Sequence, residues 1–311
     1  GNLEMGARET SVVVAAFLAI ALAFTQPVSL FLYKDQALKL LRGKTVLITG
    51  ASAGIGRALA LSYAEKGSSL IIVGRRSEAL KNVAEIAIER GAASVQTISA
   101  DLGTKEGRQQ LVRESRSGEN NTLDGTEKRR VIDILVLNHI IGYWGDWTRE
   151  YHEKEGFMEK LLEVNVLGYT NTAMAMLPYL NENDGRLVVV SSGVAKIASP
   201  RTAPYAATKG AVQAFFESIR QDLILRGSSL SVTLCVLGNI ASENAKTNTN
   251  GAIDHLGWSS VGDAAHVIMA GSALNLHTIY FPYMELSAMI SLRAIAPTFA
   301  DWLTRIVISG L

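Results

Sequence analysis

Ser192, Tyr205 and Lys209 are the residues whose types and spacing carry the clearest chemistry in this chain. Ser192 ends Arg186-Leu-Val-Val-Val-Ser-Ser192, an apolar run that reads as a buried strand delivering hydroxyls at its C-terminal end. Open α/β sheets bind their ligands at that end. Tyr205-Ala-Ala-Thr-Lys209 follows, and on a helix positions i and i+4 share a face, so the phenol and the ammonium converge. An ammonium beside a phenol stabilises the phenolate and lowers the tyrosine pKa from about 10, which brings proton exchange toward neutral pH. Ser192 would then hold a substrate oxygen while Tyr205 gives or takes its proton. Each residue also has a plainer reading: Ser192 as a helix cap, Tyr205 as core, Lys209 as a solvated charge, and Asn165, in Glu163-Val164-Asn165-Val166, as a helix hydrogen-bonder.

What favours the chemical reading is the loop upstream. Thr49-Gly50-Ala51-Ser52-Ala53-Gly54-Ile55-Gly56 lies directly after an apolar strand and directly before an Ala- and Leu-rich helix. Gly50 permits a tight strand exit, Gly54 a close approach of backbone to a diphosphate, and Gly56 close helix packing, with the free N–H groups of the helix start facing the anion. Ser52, Ala53 and Ile55 complete the expected cradle. The second strand ends Val73-Gly74-Arg75-Arg76. An acidic residue there would bind a ribose 2′-hydroxyl; two arginines instead favour a 2′-phosphate and hence NADP(H). Asp101-Leu102 ends a third strand, near where an adenine would lie.

These residues need a frame, and the chain supplies one. From residue 44, short β-branched runs alternate with amphipathic stretches in βαβα order, which predicts an α/β fold: a Rossmann-type doubly wound parallel sheet with helices on both faces. A fourth strand, Val131 to Leu137, runs into Asn138-His139-Ile140. The second half of the polar stretch 104–130 reads as an exposed loop. After residue 243 a polar, turn-rich stretch is expected to cover the substrate pocket. The apolar stretch 280–311, with two helix-like pieces around Pro297, suits either a dimer contact or a shallow membrane-facing patch.

Composition narrows the partners. Thirty Lys and Arg stand against 29 Asp and Glu, so no general attraction to nucleic acid is expected. The single cysteine, Cys235, excludes an intrachain disulfide and a multi-cysteine metal site, and the five histidines show no metal-ligand spacing, so no metal is expected. Residues 1–10 read as an appended tag remnant and a tail. Ser11 to Tyr33 carries no charge over 23 residues, enough for one N-terminal transmembrane helix. A cleaved signal peptide is the alternative, although the run exceeds a usual signal core. Lys34, Lys39, Arg42 and Lys44 after the span favour a cytosolic domain, whereas the sequon Asn120-Asn121-Thr122 is usable only in a lumen, so the face stays open.

Over roughly residues 43–275 the sequence resembles the short-chain dehydrogenase/reductase superfamily, through TGASAGIG at 49–56, Asp101, Asn138, Asn165, Ser192 and YAATK at 205–209. The resemblance implies that Asn165 holds a water in a proton relay with Tyr205 and Lys209, and that Lys209 hydrogen-bonds the nicotinamide ribose. Within the superfamily, Leu137-Asn138-His139-Ile140, SVTLCVLGNI, GAAS at 91–94 and RLVVVSS resemble the 11β-hydroxysteroid dehydrogenase type 1 group. By that resemblance Arg75 contacts the 2′-phosphate, Asn138 and His139 border the cofactor, and Ile240 to Ser242 lie by the nicotinamide amide and diphosphate. It further implies a hydrophobic hydroxyl or ketone substrate, a homodimer, and a single-pass anchor in the endoplasmic reticulum. The expected organisation is an anchor over 11–33, a catalytic domain over 34–279 and a C-terminal helical segment over 280–311. Ala53 in the phosphate loop, with Ser199, Arg201 and Asn239 near the expected pocket, departs from the steroid pattern and opens retinoid, sphingoid-base or other lipid carbonyls as substrates.

Overall fold

The apolar β-branched runs form strands because both of their faces find a helical layer to pack against. The computed structural model describes residues 25–116 and 131–309. Its seven strands are β1 (Thr45–Thr49), β2 (Ser69–Gly74), β3 (Ser94–Ser99), β4 (Ile134–Leu137), β5 (Arg186–Ser192), β6 (Ser231–Leu237) and β7 (Thr278–Phe281). All neighbours pair in parallel, in the order β3-β2-β1-β4-β5-β6-β7. Thus the doubly wound sheet expected from the βαβα alternation is present, and the order reverses between β1 and β4, which opens a crevice at their C-terminal ends.

Period-two alternation sorts the core into two layers. Val46 and Ile48 face one side of the sheet together with residues of α1 (Thr25–Lys39), α2 (Gly54–Ala64) and α3 (Ser77–Glu89). Leu47 faces the other, with Leu111 of α4 (Lys105–Arg116). The chain after β4 forms α5 (Phe157–Leu162), a π turn over Glu163–Leu167, and α6 (Gly168–Met176). Tyr169, Ala173 and Met176 join the second layer, as do Val212 and Phe216 of α7 (Ala203–Leu225). Beyond β6 come α8 (Glu243–Thr249), α9 (Val261–Ala273), α10 (Tyr283–Ile295) and α11 (Pro297–Ser309). The stretch read as turn-rich begins with α8 because Ser242 caps it, its Oγ accepting from the Ala245 N–H at 3.3 Å.

Among the described residues no helix is long and apolar enough to cross a membrane. Residues 11–24 of the expected span, and Asn120 with its sequon, lie outside the described residues. Helix α1 runs through the expected boundary between residues 33 and 34 and packs on α9, burying Ala37 in the core. The two C-terminal helices around Pro297 are present, and they leave Ile295, Phe299 and Trp302 exposed.

Candidate active site

The cradle is built by close approaches that only small residues allow. β1 leaves the sheet at Gly50 with φ +66°, where a Cβ would come within 2.8 Å of the His139 Cα. A Cβ on Gly56 would run into the Gly50 carbonyl oxygen and the Asn138 side-chain nitrogen. Asn138 locks the turn from the neighbouring strand, its Nδ2 donating to the carbonyls of Thr49 at 3.3 Å and Gly50 at 3.2 Å. Across the crevice, a Cβ on Gly54 would lie 3.1 Å from the Ser242 Cβ, so the glycine loop and the Ile240–Ser242 segment face one another. Ala53 sits at the N-cap of α2 with no side chain to accept from the first N–H groups. Free N–H groups at a helix start, walled by glycines, fit the diphosphate of a dinucleotide.

Arg75 and Arg76 are both exposed where β2 ends, and an Arg76 Nη donates to Ser52 Oγ at 3.2 Å, tying the basic end of β2 to the cradle. Asp101 spends one carboxylate oxygen on its own turn, accepting from the Gly103 N–H at 3.0 Å, and Leu102 is buried beside it.

The four residues expected to move protons are arranged around the C-terminal end of β5. Ser192 is the last residue of β5, its Oγ accepting from the Val194 N–H at 3.4 Å, and α7 presents Tyr205 in its first turn, where the Ser192 hydroxyl acts to lower the pKa of the phenol. Asn165 is fully buried in the π turn; its Oδ1 accepts from the Ile141 N–H at 2.8 Å, while its Nδ2 donates to the Ile141 carbonyl at 2.9 Å and to Thr208 Oγ1 at 3.2 Å. Thr208 in turn donates to the Tyr205 carbonyl at 2.8 Å, so Asn165 is fastened to the helix that carries the phenol. An extra residue per turn is the usual signature of a functional bulge, and here it turns an amide inward between the chain leaving β4 at Ile141 and Thr208 of α7.

Lys209 is almost completely buried. Its Nζ donates to the Val190 carbonyl at 2.9 Å and to the Tyr169 hydroxyl at 3.4 Å, and sits 5.9 Å from the centre of the Tyr205 ring. Burial pushes its pKa down to about 7. Burial also raises the Tyr205 phenol above its ordinary value, outweighing the opposing influence of the Ser192 hydroxyl. The expected lowering of Tyr205 by the ammonium is therefore not the resting electrostatics of the site: desolvation dominates both groups.

His139, read from sequence as bordering the cofactor, turns its ring inward. Nδ1 is 2.9 Å from Thr49 Oγ1, and the ring lies 4.7 Å from that of Tyr169 at a 42° tilt. Desolvation first, then the positive fields of Lys209, Arg108 and Arg75, push its pKa down to about 3 and keep it neutral. Tyr169, Thr208 and Gln213 were missed by sequence reasoning because each stands among ordinary helix-core positions. Gln213 holds the end of β5, donating to Ser191 Oγ at 2.9 Å and to the Ser192 carbonyl at 3.1 Å. No group of His, Cys, Asp and Glu able to hold a metal occurs among the described residues.

Known proteins resemble this chain in sequence and fold. The family model for short chain dehydrogenases matches residues 44–252. A hydroxysteroid 11-beta-dehydrogenase 1-like protein of Xenopus tropicalis is 35% identical over 259 residues, covering 83% of this chain and 85% of the relative. Its namesake from Gallus gallus is 35% identical over 244 residues, covering 78% of this chain and 80% of the relative. Among solved structures, the landomycin C-6 ketoreductase LanV with bound NADP and rabelomycin superposes with a TM-score of 0.64 at 25% identity, covering 77% of this chain and 95% of that one. A short-chain dehydrogenase/reductase from Burkholderia phymatum in complex with NAD has the same fold, with a TM-score of 0.71 at 19% identity over 83% of this chain and 95% of its own. The chain belongs to the short-chain dehydrogenase/reductase family of oxidoreductases, and within it resembles the 11β-hydroxysteroid dehydrogenase type 1 group.

Proposed function

We propose that this protein is an NADP(H)-dependent oxidoreductase that interconverts a hydroxyl and a ketone on a hydrophobic, steroid-like substrate, with Tyr205 as general acid/base. The observation that carries the reading is the gathering of Ser192 at the C-terminal end of β5 with Tyr205 and Lys209 of α7, the Lys209 Nζ lying 5.9 Å from the centre of the Tyr205 ring, on the sheet edge where β1 opens into the Gly50–Gly56 cradle. Bound NADP(H) supplies or accepts the hydride. Ser192 orients the substrate oxygen, and Tyr205 protonates it in reduction or deprotonates it in oxidation. Lys209, near the point of losing its own proton, provides the counter-charge when the phenol ionises. Asn165 has committed both amide hydrogens to Ile141 and Thr208, which fixes the π turn against the helix of Tyr205, and the family resemblance assigns it the water of the relay. The exposed Arg75 and Arg76 suit a 2′-phosphate, with Arg75 as the main contact. The names of the relatives support the steroid-like substrate, and the NADP in LanV supports the cofactor.

The uncharged run 11–33 supports a single-pass anchor in the endoplasmic reticulum membrane, and the exposed apolar residues of α10 and α11 support a homodimer or membrane contact there. NADPH oxidation by the purified protein over a panel of steroid, retinoid and 3-ketosphingoid ketones tests the reading. Tyr205→Phe is expected to lower turnover by about two to four orders of magnitude. Nucleotide binding with no turnover on any ketone would make the chain a nucleotide-binding scaffold. A glycosidase-sensitive mobility shift that disappears in Asn120→Gln would place the domain in the lumen.

A further inference from the structure

Behind the proton-transfer residues runs a second line of contacts. Thr49, the residue that opens the dinucleotide loop, donates its hydroxyl hydrogen to the Val136 carbonyl at 3.1 Å and accepts from the Asn138 N–H at 2.9 Å, and His139 Nδ1 lies 2.9 Å from the same oxygen. The imidazole lies against Tyr169, with ring centres 4.7 Å apart. The Tyr169 hydroxyl accepts from Lys209 Nζ at 3.4 Å, and the same ammonium sits 4.7 Å above the centre of the Tyr169 ring. Tyr169 is itself fixed, its hydroxyl donating to the Val190 carbonyl at 3.2 Å, and it is fully buried. Room for the imidazole comes from Gly168, where a Cβ would approach Nε2 to 2.8 Å.

We infer that His139 and Tyr169 are positioning residues that couple the dinucleotide loop at Thr49 to the ammonium of Lys209. The inference rests on the function proposed above. The Thr49 hydroxyl, held by Val136 of the neighbouring strand and by Asn138 just past it, joins the loop to the imidazole at a fixed point, and the imidazole is packed on the ring that shares the ammonium with Val190. A neutral imidazole is required, because a cation there would repel Lys209. The other titratable groups near the pair are Tyr205 on α7 and Cys235 on β6, with Arg108 and Arg75 acting on His139 from further away.

Three variants separate the two contacts. Tyr169→Phe keeps both ring contacts and deletes one acceptor of the ammonium. NADPH affinity, read by nucleotide fluorescence, should then stay within about twofold, while the basic limb of the reduction rate should move down by roughly one pH unit, since the ammonium has lost a hydrogen bond. His139→Phe keeps the ring and deletes the Thr49 bond, and NADPH should bind about tenfold more weakly. His139→Asn, whose amide reaches Thr49 where Nδ1 does, should restore that affinity to within about threefold, and it replaces His139→Phe should the latter not fold. In the double variant the loss of kcat/KM should be smaller than the product of the single losses, the mark of coupled sites. Losses that multiply, with the basic limb unmoved, would overturn the inference. Tyr205→Phe measured alongside keeps the two readings apart: if it retains turnover, the proposed function fails, whereas if it is inactive while the other variants behave like the parent, only the coupling fails.

Discussion

Burial at the site works on two bases in the same direction and with different consequences. Lys209 keeps one strong acceptor, the Val190 carbonyl, and its pKa of about 7 leaves it able to change charge in the working range. His139, at about 3, stays neutral throughout that range and contributes shape and one hydrogen bond instead of charge. The depressed value has a cost in acid. In the unfolded chain an imidazole takes up a proton near pH 6.5, while the folded chain refuses it down to about 3, so stability falls as pH drops through that interval. Urea midpoints measured at pH 7, 5 and 4 should fall steeply in the parent protein and less in His139→Asn, by up to a few kcal/mol at the acid end. Equal slopes would remove His139 from the acid response. At β2, Arg75→Ala should raise KM for NADPH by about tenfold or more and leave that for NADH nearly unchanged, the loss of one charge-assisted phosphate contact. Equal losses with both nucleotides would argue against a 2′-phosphate contact.

Elements place these residues, and they differ in how far sequence announces them. β4, β5 and β6 are legible as apolar runs because burial on both faces removes the polar half of the alternation. The i, i+4 spacing of Tyr205 and Lys209 is legible because helical periodicity brings them to one face. The π turn is not: one extra residue in Glu163–Leu167 changes no apolar period, yet it sets where Asn165 points. Tyr169, Thr208 and Gln213 look like filler on helices whose buried faces are mostly apolar, and their roles follow only from what lies across the gap. The direction of the His139 ring was hidden for the same reason, since a histidine after a strand fits a cofactor edge as well as a packed interior. Gly168 is the element-scale consequence. A glycine inside a helix normally loses about 1 kcal/mol to alanine, but here the added methyl meets the imidazole. Gly168→Ala should therefore destabilise by about 1–2 kcal/mol in denaturant unfolding, and combining it with His139→Asn should recover part of that loss, the methyl still lying about 3.2 Å from the Leu102 carbonyl oxygen.

At the scale of the molecule, the sheet is covered on one face by helices from opposite ends of the chain: α1, near the start, packs on α9, which lies between β6 and β7. Ala37 and, just past the helix, Leu41 are almost completely buried in the same core cluster as Ile268 and Met269 of α9. A chain beginning at Lys44 would lose those contacts, and its melting temperature should fall by roughly 5–10 °C relative to one beginning at Thr25, on the area bared and the size of the domain. Calorimetry of the two truncations decides it; equal melting temperatures would mean that α1 is dispensable to the fold. The packing of α1 also bears on how the protein faces its surroundings. Fifteen helical residues make a rod about 22 Å long, clamped to α9 at its C-terminal end. Whatever fixes the chain ahead of Thr25 would therefore set the bearing of the crevice mouth as well as its distance, and a flexible insertion between Lys39 and Lys44 would free the distance while losing the bearing.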